Sequence, residues 1–186
     1  MTLRLRNLCV WLQCALVIGL TPASASAFCI GWDKNLPSYD PLYYSVSHEY
    51  RRAKYVIRAK VIRETWLGED AKPKPLEPPF QNGSPKPWGF DPYAGAYYDV
   101  EVETSFKGPA PPTLRLFSEN STARFWFDVG SEWVLFVTDD TFDPPIGRSL
   151  TMDTCGNSEP LSKARALLRD LRELATAPKR TRDAPS

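Results

Sequence analysis

Three carboxylates at alternate positions, Asp99, Glu101 and Glu103, are the residues of this chain most suited to chemistry. On a β-strand, alternate side chains share a face and stand about 7 Å apart. Such a row can hold a hard cation between two carboxylates, or divide acid and base roles between them. A neighbouring strand carrying Arg58 and Lys60 would instead neutralise the row through cross-strand pairs worth about 0.2–1 kcal/mol each. The single histidine, His48, sits between Ser47 and Glu49 on an expected helix, where adjacent side chains point apart. The three therefore form no local triad. Asp139, Asp140, Asp143 and Asp153 recur without the spacing of a calcium loop. With one His there is no site built on two or three imidazoles, and no phosphate-binding loop is present. The expectation is a binding or structural module with no cofactor and no metal. The alternative is an enzyme with a carboxylate site on the strand 97–106.

Composition sets the class that must position these groups. The 186 residues carry 23 Lys+Arg against 22 Asp+Glu, a net charge of +1. A balance this even does not point to nucleic acid as partner. Hydrophobic residues make up 42%, enough for a packed core. The first 27 residues read as a secretory leader. Arg4 and Arg6 precede an apolar run from Leu8 to Leu20, and Ala25-Ser26-Ala27 has the form of a cleavage site. The run is too short to span a bilayer. Cleavage after Ala27 would export the chain to a periplasm or the outside, with no transmembrane span in the mature part. Cys9 and Cys14 would leave with the leader, while Cys29 and Cys155 remain. Two cysteines in an exported chain read as one disulfide, a free thiol and an intermolecular bridge being the alternatives. It would close a loop worth about 4–5 kcal/mol by chain entropy.

Residues 28–176 read as one domain, helix then strands then helix, and 177–186 as a flexible polar tail. Asp40-Pro41 has the form of a helix start, for a helix running to Arg52. Tyr55, Ile57, Ala59 and Val61 alternate with polar neighbours and predict a strand. Residues 97–106, 113–117 and 124–127 predict three more. Glu132 to Thr138 is a continuous apolar run expected to be a buried central strand, and 150–154 a short last one. The expected interior is Tyr55, Ile57, Ala59, Val61, Val100, Val102, Phe106, Leu114, Leu116, Val134 and Phe136. Ser158 or Glu159 would cap a final helix opened by Pro160, with Leu167, Leu168 and Leu171 on its apolar stripe. Trp126 and Trp133 read as wall residues.

Residues 68–96 form a proline-rich insertion with Pro73, Pro75, Pro78, Pro79, Pro85, Pro87 and Pro92. It cannot be helix or central strand. A connection this long is functional or disordered. Its aromatics, Phe80, Trp88, Phe90 and Tyr93, argue against plain disorder. They form either a binding surface or a cover over the sheet.

The order of motifs resembles the netrin-like family, which includes tissue inhibitors of metalloproteinases and exported bacterial members. The matching residues are Cys29, Tyr55 to Val61, Val100 to Phe106-Lys107-Gly108, Phe127 to Val137, and Cys155-Gly156-Asn157-Ser158. The resemblance implies a mainly β fold, a five-stranded OB-type barrel flanked by an N-terminal and a C-terminal helix. Independently of the resemblance, the absence of a nucleophile–base pair or metal cluster and the Pro/aromatic loop with Phe80, Trp88, Phe90 and Tyr93 lead to the expectation of binding to a protein or other envelope component. In the inhibitors the mature chain begins with Cys and has a second Cys two residues on. Here Phe28 precedes Cys29 and Gly31 stands two residues after it, which disfavours metalloproteinase inhibition by that route.

Overall fold

In the computed structural model, residues 45–78, 80, 86–87, 92–121 and 124–176 are described. The leader, Cys29, Asp40-Pro41, Trp88, Phe90 and the tail from residue 177 lie outside them. The described part is mainly β: a six-stranded antiparallel sheet with two helices. Helix α1 spans Val46–Arg52, β1 Tyr55–Leu67, β2 Gly95–Lys107, β3 Thr113–Glu119, β4 Glu132–Thr141, β5 Arg148–Met152, β6 Glu159–Pro160 and α2 Arg165–Thr176. The order across the sheet is β3-β2-β1-β4-β5, with β6 paired to β4. β3 and β5 run in the same direction and approach each other without pairing. The ring of Phe117 meets that of Phe142 across this seam at 4.7 Å. The sheet is therefore curved but open, and the closed five-stranded barrel is not what the strands form.

Two cores lie on opposite faces of the sheet. Ile57, Ala59, Val61, Tyr98, Val100, Leu114, Leu116, Leu135 and Val137 fill the concave side, with Phe125 and Phe127. Val56, Val134 and Phe136 pack on the other face against Ala164, Leu167 and Leu171, with Phe106 and Leu168 partly buried beside them. The expected interior thus holds for most of β1, β2 and β3, but Val134, Phe136 and Phe106 face the helix. The ladder explains this: Leu135 pairs with Ile57, and Phe136 with Val56. A continuous apolar run has no alternation from which a face could be read. Tyr55 and Val102 are only partly buried.

Several boundaries differ from expectation. α1 is capped by Ser45, whose Oγ accepts from His48 N, so the cap is not Asp40. Its last turn is closed by Lys107, whose Nζ donates to the carbonyls of Tyr50, Arg51 and Ala53 at 2.6–2.7 Å. Those are oxygens a helix end leaves unpaired. Gly108 follows at φ +77°, and a Cβ there would stand 2.7 Å from Lys54 O. Residues 124–127 form no strand. Phe125 and Phe127 point inward, but Phe125 O is taken by Ser118 Oγ instead of by a ladder. Trp126 is 43% exposed beneath the Arg124 guanidinium, so it is not a wall residue. Trp133 is partly buried against the concave core. Glu159–Pro160 pair with Val134 and Trp133 as β6, and α2 starts only at Arg165. Pro160 suits this edge position, having no N–H to give.

Candidate functional site

β1 is six residues longer than its alternation suggests, and the extra length builds the main cavity. The register with β2 shifts between Val61 and Arg63, a bulge at Ile62. A bulge shifts the phase of every later side chain. Arg63 therefore turns to the outer face opposite Asp99, while Glu64 and Trp66 turn inward beside Tyr98 and Ala96. The alternation 55–61 signals the first half of the strand. The bulge hides the second half, and with it Glu64 and Trp66.

The carboxylate row is dismantled by the same shift. Asp99 is 6% exposed at its side chain and gripped by two arginines. Arg63 reaches its Oδ2 at 2.5–2.6 Å, and Arg115 of β3 reaches Oδ1 at 2.7 Å. The Arg115 hydrogen bond, aided by Arg63, holds the Asp99 carboxyl below its ordinary range. Glu103 pairs with Arg58 at 2.8 Å, and Arg58 also reaches Glu132. Lys60 stands opposite Glu101, which is exposed. The row is thus a charge-compensated sheet face, and the partners are Arg63 and Arg115 as well as the expected Arg58 and Lys60. No grouping of three or more His, Cys, Asp or Glu suited to a metal occurs among the described residues.

The insertion folds back on β1. Gly68 N donates to Lys72 O and Lys74 N to Trp66 O, and Leu67 bridges to Pro73. Tyr93 is buried, its ring edge-on to Trp66 at 5.7 Å and to Phe80 at 6.4 Å. Its hydroxyl accepts from Glu77 N and donates to Pro75 O. Phe80 packs on the concave core. Of the four candidate aromatics, Phe80 and Tyr93 therefore serve as cover, and Trp88 and Phe90 lie outside the described residues. Lys86, also in the insertion, reaches Glu64 Oε1 and Phe127 O, both at 2.7 Å, and lies over the Tyr98 ring. Burial, then the Glu64 charge, pushes the Tyr98 hydroxyl far above its usual value.

Between the end of β1 and the strip Pro73–Leu76 lies a cavity of about 530 Å³, lined by Glu64, Thr65, Trp66, Pro73, Lys74, Pro75 and Leu76. Trp66 is 6% exposed, and its indole N–H has no hydrogen-bond partner. A buried donor left unpaired costs about 1–3 kcal/mol.

A second cavity, about 420 Å³, lies under α1 and is lined by Glu49, Arg52, Asp139, Asp140, Asp153 and threonines 138, 151 and 154. Its acids are largely committed. Arg148 and Lys54 hold Asp139 down to about 2. Asp153 accepts from Cys155 N and Asp140 from Thr141 N. Glu49 is buried and accepts from both the backbone and side-chain nitrogens of Asn157. Burial raises its pKa despite those bonds. A Cβ on Gly156 would collide with the Glu49 carboxylate, so a side chain there would have to displace it. His48 is half-buried on α1 and does not line either cavity. Cys155 lies in the turn after β5; its proposed partner Cys29 is outside the described residues.

No family model matches the chain, and comparison with curated proteins finds no match.

Proposed function

We propose that the protein is an exported binding module, and that its ligand enters the cavity between the end of β1 and the proline strip of the insertion. The observation that carries this reading is the cavity of about 530 Å³, walled by Trp66, Pro73, Pro75 and Leu76. Apolar walls with few polar groups are the usual make-up of a ligand site. The prolines restrict the strip before binding, so little entropy is lost when a ligand arrives. The carboxylate row offers less, since arginines neutralise Asp99 and Glu103. The role first assigned to the insertion's aromatics passes to the cavity between Trp66 and the strip Pro73–Leu76.

The same proposal includes an OB-type topology of the netrin-like kind. The order β3-β2-β1-β4-β5, with β3 and β5 parallel across an unpaired seam, supports a partly open barrel. Export and a Cys29–Cys155 disulfide complete the reading. No described helix is long and apolar enough to cross a membrane.

Amide NMR spectra of the full chain, titrated with a library of small fragments and short peptides, test the site. Shifts clustering on residues 64–67 and 73–76 support it. Shifts clustering elsewhere, or none at all, refute it.

A further inference from the structure

Beyond Lys60, β1 loses its strand partner on one side. β4 pairs with β1 only from Tyr55 to Lys60. Val61 is still held, accepting from Gly130 N and donating to Ser131 O. Farther on, Trp66 O accepts from Lys74 N. Between these two points, no described strand lies along the β4 side of residues 62–65. The gap from Ile62 to Trp66 is four steps of about 3.3 Å, or about 13 Å.

The bulge decides which backbone groups face this gap. After it, β1 and β2 pair regularly as Glu64–Tyr98, Thr65–Tyr97 and Trp66–Ala96. The bond from Lys74 places the Trp66 carbonyl on the side away from β2. Backbone groups two residues apart on a strand face the same side. Glu64 therefore turns both its N–H and its C=O toward the gap, and Trp66 turns its N–H there. The strip meets β1 at Lys74–Trp66 and Pro73–Leu67, at the far end of this edge. The cavity of about 530 Å³ opens at this place.

We propose that this edge takes a short extended peptide, which adds a strand to β1 over residues 62–66. The inference rests on the cavity being the binding site and names the class of its ligand. Exposed strand edges are templates for such addition, with main-chain bonds giving affinity and alternate side chains giving selectivity. The charges at the cavity are already matched, Glu64 by Lys86 at 2.7 Å and Lys74 by Glu77 at 3.5 Å. The site thus selects an apolar anchor, seated between Trp66 and Leu76, over a charged one.

The test uses heptapeptides selected from a random display library on the full chain. Backbone N-methylation at alternate peptide positions should weaken binding at least tenfold, and methylation at the intervening positions should not. In the free protein the Glu64 and Trp66 amides should exchange with deuterium faster than Thr65, and slow at least tenfold when peptide binds. Leu76→Trp, which fills the cavity, should weaken binding at least tenfold. If peptides bind equally to a folded Leu76→Trp variant, the cavity itself is refuted as the site. If that variant loses binding but N-methylation has no effect at any position, the cavity stands and strand addition is overturned. Slow exchange of Glu64 in the free chain would mean the edge is already covered by the chain itself, and overturns the proposal without any variant. Failure to select any peptide overturns it too.

Discussion

Gly156→Ala and Glu49→Ala together form a test of how α1 is fastened to the rest of the fold. Glu49 is 9% exposed and accepts two bonds from Asn157, at 2.6 and 2.7 Å. Its carboxylate fills the space where a side chain on Gly156 would begin. Gly156 is not in the left-handed region, so alanine there meets a steric obstacle and no backbone strain. Gly156→Ala alone should cost about 1–3 kcal/mol, the usual range for overpacking. Glu49→Ala alone removes two hydrogen bonds from Asn157, a loss of about 1–3 kcal/mol. Part of that loss is offset because a carboxylate that burial disfavours has been removed. In the double variant the collision is gone. Its cost should therefore fall short of the sum of the two by about 1–2 kcal/mol, as expected for residues in direct contact. Urea unfolding followed by tryptophan fluorescence measures all three. Additivity within about 0.3 kcal/mol would refute the steric account of Gly156. Glu49→Ala without loss of stability would refute its role as the fastener.

The remaining predictions concern charge, capping and the termini of the domain. Asp99→Asn should destabilise by about 1–3 kcal/mol at pH 7, less than for a fully enclosed pair because Arg63 and Arg115 are more than half exposed and can return to water. Because the folded Asp99 carboxyl lies below its ordinary value, its contribution is present above pH 4 and lost as pH falls through the folded pKa. The melting-temperature gap between the wild type and Asp99→Asn should therefore narrow steadily below pH 4, and a constant gap down to pH 2 would contradict this. Lys107→Met keeps the stem but removes three bonds to the end of α1, and should cost about 2–3 kcal/mol in urea unfolding. Mass spectrometry of the non-reduced exported chain should show Cys29 linked to Cys155, and two free thiols would overturn that pairing.

The amino-acid order determined the elements whose signal is local. Alternation marks the first half of β1 and most of β2 and β3, and the apolar stripe of α2 shows which side of that helix is buried. The paired basic and acidic faces of β1 and β2 were legible for the same reason, since side chains of like parity must meet across a ladder. Parity fails wherever the chain breaks its own period. The bulge at Ile62 is invisible to alternation, yet it turns Glu64 and Trp66 into the cavity and hands Asp99 to Arg63. The unbroken run Val134–Val137 carries no period at all, so only pairing with β1 decides that Leu135 faces the concave core and Phe136 the helix. Phe125 and Phe127 alternate like a strand but meet no partner, because pairing depends on where the other strands lie. The fastening of Glu49 to Asn157 and of Lys107 to the end of α1 joins residues 108 and more than 50 apart. Contacts that distant exist only once the sheet has brought them together, which is why the cavity at the end of β1 is a property of the tertiary structure alone.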